Sequence, residues 1–451
     1  MSNQGLFIHE LNVLLEKCQN LFSGCSFLSN YIQKLIFLLI ISVFVFSTFV
    51  SSETLGVIAL SVFGLSVLNM LIQNGEKFEM NLFEKFIFVW FLIVIISLFG
   101  STLFTLSLKG FFKTVTYMGF YLSVVQFYRK NLYMIYPTML IIATCAFVQG
   151  LIGISQNFKG VEEISTWQDT SSINPEAVMT RIYGTLKPLN PNLFGGYLVA
   201  AIPSVFGCII YLLSNKKYVP AFVASAACFV SMLALVLSGC RGAYVALMFM
   251  LLCFALYFGK LIFEKHNELL KKVYLSVLST FVVIGTMAAM FVTSIRTRIF
   301  SIFVFRADSS TSFRFNVYQA AGQMIKDNWL WGIGVGNKNF REIYGLYMKT
   351  GFDALSTYNV FTELWVESGI FAILAFLVFL FFVSKSALSY IMQNKPYRTV
   401  VAVSLISILS IMVHGFFDTI YFRPQVQFIF WTMVSFISAV LYAENCNSCD
   451  K

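Results

Sequence analysis

Arginine is distributed unevenly along this 451-residue chain. Eight of its ten arginines fall in polar segments that, by the order of the hydrophobic segments between them, all face one side of a membrane. Arginine is costly next to lipid, and its planar guanidinium binds anionic oxygens through paired hydrogen bonds. The pattern therefore predicts a site for phosphate, pyrophosphate or another oxyanion on that face. The eight residues are Arg181, Arg241, Arg296, Arg298, Arg306, Arg314, Arg341 and Arg423.

Membrane topology alone explains part of this distribution. Long loops cross the membrane largely regardless of their charge, which accounts for basic residues on the outer side. It does not account for the choice of arginine, because the basic residues of the opposite face are mainly lysine, such as Lys216, Lys217, Lys271 and Lys272. We therefore favour an oxyanion site.

Arg241 opens an apolar segment at this outer face. In a helix it would lie at the amino terminus, where free backbone N–H groups and the helix dipole favour an anion. The alternative is an arginine that only extends to the membrane interface.

Arg314 precedes apolar residues at helical spacing. These residues are Val317, Ala320, Ala321 and Met324. The spacing predicts an amphipathic helix of about 14 residues along the membrane surface, with Arg314 near its start and directed at the bundle.

A turn is predicted after this helix, at Gly332, Gly334 and Gly336. No strand precedes these glycines, so they are not a dinucleotide-binding fingerprint.

Arg181 and Asn192 lie in a segment rich in turn-forming residues, which leads into the next apolar stretch. Pro188 and Pro191 favour an extended, turning backbone there. One interpretation is a simple helix-entry turn. The other places Arg181 and Asn192 over a substrate cavity.

His414 and Asp418 are four residues apart near the outer end of another apolar segment, close to Arg423. A helical turn would put the carboxylate beside the imidazole, raise its basicity and fix its orientation. A histidine at a helix end is also compatible with a purely structural role, and both interpretations stay open.

Tyr358 and Asn359 lead into an apolar segment that contains Glu363 and Glu367 one turn apart. Carboxylates at a membrane edge are costly unless paired, so we expect ion pairs with nearby arginines. The alternative is that they hold a proton or a cation.

The composition identifies an integral membrane protein. The chain is 58% hydrophobic and only 12% charged, whereas soluble domains are about 25% charged. The net charge of +10 does not indicate nucleic acid, because the basic residues are scattered over short loops. No cleavable signal peptide is expected. The lone pair Cys446 and Cys449 lacks the four ligands of a zinc site, so no metal is expected.

The fold class that we predict is an all-α integral membrane protein, a polytopic bundle of about 12 transmembrane helices with two long extracytoplasmic loops. Lysines in alternate loops place both termini in the cytoplasm. The predicted parts are an interfacial N-terminal segment (1–33), transmembrane helices (34–152), the first outer loop (153–192), central transmembrane helices (193–295), the second outer loop with its amphipathic helix (296–358), C-terminal transmembrane helices (359–443) and a cytoplasmic tail (444–451).

Three motifs, in this order, resemble the O-antigen ligase and polymerase superfamily of bacterial membrane proteins. They are Ser238 to Gly242, Arg314, and Trp329 to Asn337. The resemblance covers residues 150–440 and implies a twelve-helix bundle in the cytoplasmic membrane. Within the superfamily, four segments look like the branch named for cyanobacterial inorganic-carbon (bicarbonate) transport. They are residues 180–198, 307–318, 352–369 and 412–427.

The resemblance implies glycan transfer from a polyprenyl-pyrophosphate-linked donor to a glycan or lipid acceptor, outside the cytoplasmic membrane and without metal or cofactor. By position, Arg241 and Arg314 correspond to the arginines that hold the pyrophosphate. The general base, a histidine before asparagine, corresponds to Tyr358 before Asn359. Tyrosine, with an ordinary pKa near 10, is a poor base at neutral pH. His414 with Asp418 is the available substitute.

Two other functions remain open. The same arginines would attract bicarbonate or another small anion in a transporter, although no inverted repeat and no pair of interrupted helices is evident. A non-catalytic scaffold in envelope assembly would leave the outer arginines dispensable.

Overall fold

A computed structural model describes residues 3–22, 27–73, 80–159, 181–291, 310–349 and 353–449. Within these ranges the chain is helical, without strands. The helices are α1 (Asn3–Phe22), α2 (Ser29–Phe46), α3 (Ser52–Ile72), α4 (Leu82–Phe99), α5 (Phe104–Lys130), α6 (Ile135–Lys159), α7 (Pro191–Ser214), α8 (Tyr218–Leu237), α9 (Arg241–Phe263), α10 (Glu268–Phe291), α11 (Ser310–Asp327), α12 (Asn337–Tyr344), α13 (Val360–Met392), α14 (Arg398–Gly415) and α15 (Pro424–Cys449).

Eleven helices of the described chain are long and apolar enough to cross a membrane. This confirms the predicted helical membrane fold. The remaining predicted span lies in α5, which has 27 residues and packs against α3 and α15. Lys109, Lys113, Arg129 and Lys130 lower the hydropathy of α5, but at about 1.5 Å per residue it is still long enough to cross.

Helices α7, α14 and α15 form the centre of the bundle and are mostly buried inside the protein. Helix α10 is peripheral and packs against α9. The first residues of α7, α9, α13 and α15 lie at the same end of the bundle as the last residues of α8 and α14, because successive helices alternate in direction. Polar residues from distant parts of the sequence therefore meet at this end.

Asparagine side chains start two of these helices. Asn190 accepts hydrogen bonds from the backbone N–H groups of Asn192 and Leu193, and Pro191 occupies the first turn of α7. Asn359 accepts from Phe361 and Thr362 at the start of α13. Such N-caps accept hydrogen bonds from backbone N–H groups that have no partner within the helix. Proline fits the first turn because the N–H group that it lacks would have no partner there.

The predicted glycine turn is confirmed, with positive φ at Gly332, Gly334 and Gly336. It packs into a break of α13 at Gly369, which has φ 78°. The backbone N–H groups of Ile333 and Gly334 donate to carbonyls of α13 on one side of the break. The turn therefore joins the segment that follows α11 to the bundle.

Candidate functional site

Helix α11 holds Arg314 against the bundle, as predicted. The apolar residues that follow Arg314 at helical spacing are buried against α12 and α13. Arg314 Nη2 lies 3.8 Å from Asp418 Oδ2, and its guanidinium carbon lies 5.5 Å from the centroid of the Tyr358 ring. The guanidinium is held from two sides but its side chain remains 25% exposed, so it can meet a ligand.

Tyr358 precedes the N-cap of α13 and has φ 56°, a left-handed conformation that a bulky residue rarely adopts. Burial, followed by the negative charge of Asp418, raises the pKa of Tyr358 to about 12. The hydroxyl is therefore protonated at neutral pH and is not a general base. The contact that the ring makes with Arg314 instead positions the guanidinium.

A chain of hydrogen bonds links Arg181 to Asp418 through Asn192. Arg181 Nη2 donates to Asn192 Oδ1 over 2.5 Å, and Arg181 Nε donates to the Ser238 carbonyl over 3.0 Å. Asn192 Nδ2 donates to Asp418 Oδ2 over 3.0 Å. Because Asp418 also faces Arg314, one carboxylate connects two arginines from separate loops.

His414 does not pair with Asp418 as the four-residue spacing predicts. Helix α14 ends at Gly415, and the Asp418 carboxylate is turned toward Asn192 and the backbone N–H of Thr419. His414 is buried, at 3% exposure, and its Nε2 lies 3.5 Å from Cys240 Sγ. Among the described residues the two side chains therefore share no hydrogen bond, although the negative charge of Asp418 still acts on the imidazole. The catalytic role predicted for the pair stays a prediction.

Cys240, which contacts His414, is not among the site residues that the sequence predicted. Burial, followed by the charge of Asp418, raises the pKa of the Cys240 thiol. The thiol therefore stays protonated and can donate a weak S–H hydrogen bond to His414 Nε2. The signal in the sequence that could have identified Cys240 was its position immediately before α9.

Arg241 is the first residue of α9 and is partly buried. The next residue, Gly242, lets this helix end approach α14 closely, because an added Cβ would lie 2.9 Å from Phe417 Cβ and 3.5 Å from His414 Nε2. The start of α9, where Arg241 lies, is therefore close to His414, and the N–H groups of the first turn of α9 open toward the same region. An anion seat at this helix end remains a prediction.

The two carboxylates of α13, Glu363 and Glu367, accept hydrogen bonds from backbone groups. Glu363 accepts from the Thr357 N–H over 2.6 Å, and Glu367 accepts from the Gly336 N–H. In the described part of the chain neither forms an ion pair with an arginine, contrary to expectation. The N–H groups of Thr357 and Gly336 thus satisfy the two buried carboxylates. These hydrogen bonds hold the segments before α12 and α13 onto α13.

Asn359, Arg341 and Arg423 have positions apart from this cluster. Besides capping α13, Asn359 donates to the Phe416 carbonyl over 3.2 Å, which ties α13 to the end of α14. Arg423 ends a short turn before α15, and its charge acts on Tyr117 of α5. Arg341 is 49% exposed and lies 3.7 Å from Asp353. The predicted arginines Arg296, Arg298 and Arg306 lie outside the described residues.

The structure thus brings together seven of the predicted residues, with Cys240, into what we call the polar cluster. Its members are Arg181, Asn192, Cys240, Arg241, Arg314, Tyr358, His414 and Asp418. Arg314 contacts the Asp418 carboxylate directly, and Arg181 is joined to it through Asn192. An anionic ligand at this place therefore competes with Asp418 for Arg314. Among the described residues no group of three or more histidine, cysteine or acidic side chains has the arrangement of a metal site.

Comparison with known protein families gives one match. Residues 226–377 match the family model described as O-Antigen ligase. The matched stretch contains Arg241, Arg314, Tyr358 and Cys240 but is less than half of the chain. No curated protein matches the sequence. The chain is therefore similar to O-antigen ligases over the part that supplies Arg241 and Arg314. Arg181, Asn192, His414 and Asp418 come from outside that part.

Proposed function

We propose that this protein transfers a glycan from a polyprenyl-pyrophosphate-linked donor to a hydroxyl group of a glycan or lipid acceptor, at the end of the bundle that carries the polar cluster. The main support is that Arg314, within the stretch similar to O-antigen ligases, contacts a carboxylate from outside that stretch. A guanidinium beside a carboxylate supplies both an anion clamp and a proton acceptor. The excess of lysine in the loops of the opposite face supports an extracytoplasmic position for this end.

Arg314 and Arg241 bind the pyrophosphate in this proposal. Arg314 exchanges its contact with Asp418 for the phosphate oxygens, while Tyr358 keeps its guanidinium in place. Arg241 binds from the amino terminus of α9, where the helix dipole adds to its charge. Such groups stabilise the negative charge that grows on the pyrophosphate as it leaves.

Asp418 takes the proton of the acceptor. The acceptor oxygen forms a bond to the anomeric carbon of the donor sugar, and the bond from that carbon to the pyrophosphate oxygen breaks. The electron pair leaves with the polyprenyl pyrophosphate, and the hydroxyl proton passes to the Asp418 carboxylate. Asp418 suits this role better than His414, because its side chain is 12% exposed and adjoins Arg314, whereas His414 is enclosed behind Cys240.

The test uses purified protein in vesicles that contain a polyprenyl-pyrophosphate-linked oligosaccharide and a candidate acceptor. Arg314→Ala is expected to abolish transfer. Arg341→Ala is the matched control, because Arg341 lies in the same predicted loop and is absent from the polar cluster. Among the described residues its ion pair is a long contact with Asp353, at 3.7 Å. Its transfer rate is expected to equal that of the unmodified protein.

The same vesicles distinguish glycan transfer from anion transport. Protein that carries labelled bicarbonate across the vesicle membrane, and never alters the lipid-linked glycan, would show that the proposed enzyme activity is wrong. Equal transfer by the Arg314→Ala and Arg341→Ala proteins would reject the pyrophosphate clamp.

A further inference from the structure

Five polar side chains meet where helices α2, α3 and α5 pack together, and we call them the amide cluster. Ser29 and Gln33 belong to α2, Asn69 to α3 and Lys130 to α5, and Gln73 directly follows α3. Ser29 and Asn69 are buried, at 8% and 6% exposure, whereas Gln33 and Gln73 are partly exposed and Lys130 is exposed. The amide cluster thus contains one cation and no acid.

The donors of the amide cluster converge on one atom, the side-chain oxygen of Gln73. Gln73 Oε1 lies 3.0 Å from Lys130 Nζ and 3.3 Å from both Gln33 Nε2 and Asn69 Nδ2. Ser29 Oγ is also 3.3 Å away, but its single proton has a nearer acceptor in Asn69 Oδ1, at 2.9 Å. Three N–H donors therefore face an oxygen that has two lone pairs.

The spacing of these donors suits an acceptor that is larger than an amide oxygen and carries a negative charge. Ordinary N–H···O hydrogen bonds are about 2.7–3.2 Å long, and two of the three contacts with Gln73 Oε1 exceed this range. Hydrogen bonds from an ammonium group are also stronger when the acceptor is ionised. A monatomic anion such as chloride meets both conditions, because its radius exceeds that of oxygen and it accepts from every direction.

A small cavity adjoins the amide cluster and measures about 20 Å³. This volume holds one particle of about the size of water. Ser66 of α3 lines the cavity at 8% exposure, and its hydroxyl has no hydrogen-bond partner within the described part of the chain. The polar or charged residues among the nine that line the cavity are Gln33, Ser66, Asn69, Gln126, Lys130 and Asn131. The space beside the donors therefore fits a small ion and excludes a bulky one.

The amide cluster lies at the end of the bundle opposite the polar cluster. Arg129, which precedes Lys130, pairs with Glu84 of α4 over 2.6 Å and donates to Ser438 of α15. Ser438 lies about 20 Å along α15 from Pro424, which starts that helix at the end with the polar cluster. An anion in the amide cluster is therefore remote from the groups that bind pyrophosphate in the proposed function.

We propose that the amide cluster binds one small monovalent anion of about the size of chloride, which takes the place of Gln73 Oε1 between Gln33, Asn69 and Lys130. Gln73 follows the last turn of α3 and is partly exposed, so its side chain turns toward water when the anion enters. The bound anion joins three helices through one charged acceptor. This site does not depend on the glycan-transfer proposal.

Thermal unfolding of the purified protein in detergent, in potassium chloride and in potassium gluconate at equal ionic strength, tests the site. Gluconate is too large for the cavity, so only chloride should stabilise the folded protein by binding to it. We expect an unfolding temperature about 2 °C higher in chloride, with an effect that saturates as chloride replaces gluconate. Equal unfolding temperatures in the two salts would overturn the proposal.

Two substitutions of Gln73 separate anion binding from a general effect of salt. Gln73→Glu places a carboxylate among the donors, so it should raise the unfolding temperature in gluconate and abolish the difference between the two salts. Gln73→Ala removes the competing oxygen, so the difference should increase. A chloride effect that persists undiminished in Gln73→Glu would reject the site.

Lys130→Gln removes the cation of the amide cluster and should abolish most of the difference between the salts. Lys265→Gln is the matched control, because Lys265 is an exposed lysine after α9 and is absent from the amide cluster. It should keep the full chloride effect. An equal loss in both variants would also overturn the proposal, since chloride would then act on the charge of the whole protein.

Discussion

The guanidinium of Arg314 lies 3.8 Å from the carboxylate of Asp418, where α11 meets the bundle. Asn192 donates to the same Asp418 oxygen from the start of α7. One carboxylate thus connects α11 to the central helix α7. In the proposed function it holds Arg314 before the donor binds and accepts a proton afterwards.

Asp418→Asn separates these two roles. The amide keeps the shape of the side chain but cannot accept the proton, so kcat should fall about 100-fold or more. Donor binding should become tighter, because the carboxylate that competes with pyrophosphate for Arg314 is gone. Single-turnover rates and donor titrations measure the two effects separately. An unchanged kcat would exclude Asp418 as the base.

Tyr358→Phe should retain most of the transfer activity, because the ring still contacts Arg314 and the hydroxyl, with its pKa of about 12, takes no proton at neutral pH. Tyr358→Ala removes the ring, and activity should fall about tenfold, as expected from the loss of a cation–π contact. The pH–rate profile of the unmodified protein should show no rise from tyrosine ionisation below about pH 11. Loss of activity in Tyr358→Phe would assign chemistry to the hydroxyl.

Gly369→Ala should destabilise the junction between the glycine turn and α13. An added Cβ would lie 2.0 Å from the Leu330 carbonyl oxygen, at a position where φ is positive. The expected cost is about 2 kcal/mol or more, measured as a lower unfolding temperature in detergent. Gly322→Ala is the control, since nothing lies within 4 Å of its added Cβ in α11, and its stability should be equal or slightly higher.

Glu84→Gln should be the most destabilising of these changes, because it leaves the Arg129 guanidinium buried without its carboxylate. Breaking one side of a buried pair costs about 3–5 kcal/mol. Glu268→Gln is the matched control, as Glu268 is 74% exposed and pairs with Lys271 at the surface, where the loss is within about 0.5 kcal/mol. Thermal unfolding of both variants provides the comparison, and equal unfolding temperatures would contradict the structural role of the pair.

Helix α11, which carries Arg314, is an element that the local sequence pattern predicted correctly. Its apolar period predicted both the helix and the face that contacts the bundle, since one face of a surface helix must be buried. The spacing of His414 and Asp418 was also a helical pattern, but α14 ends between the two residues. Gly415, whose added Cβ would lie 2.9 Å from Val360, packs there against the start of α13, and this contact is not visible in the local sequence.

The sequence by itself determined the membrane-helix class, the approximate spans and the face that gathers arginine, because hydropathy and charge act on each segment locally. Only the tertiary structure decided that Arg181, Asn192 and Asp418 form one hydrogen-bonded chain, and that His414 lies against Cys240. These residues are far apart in the chain, and their contacts depend on which helix ends pack together. Burial, which follows from that packing, is also what raises the pKa of Tyr358 and excludes it as a base.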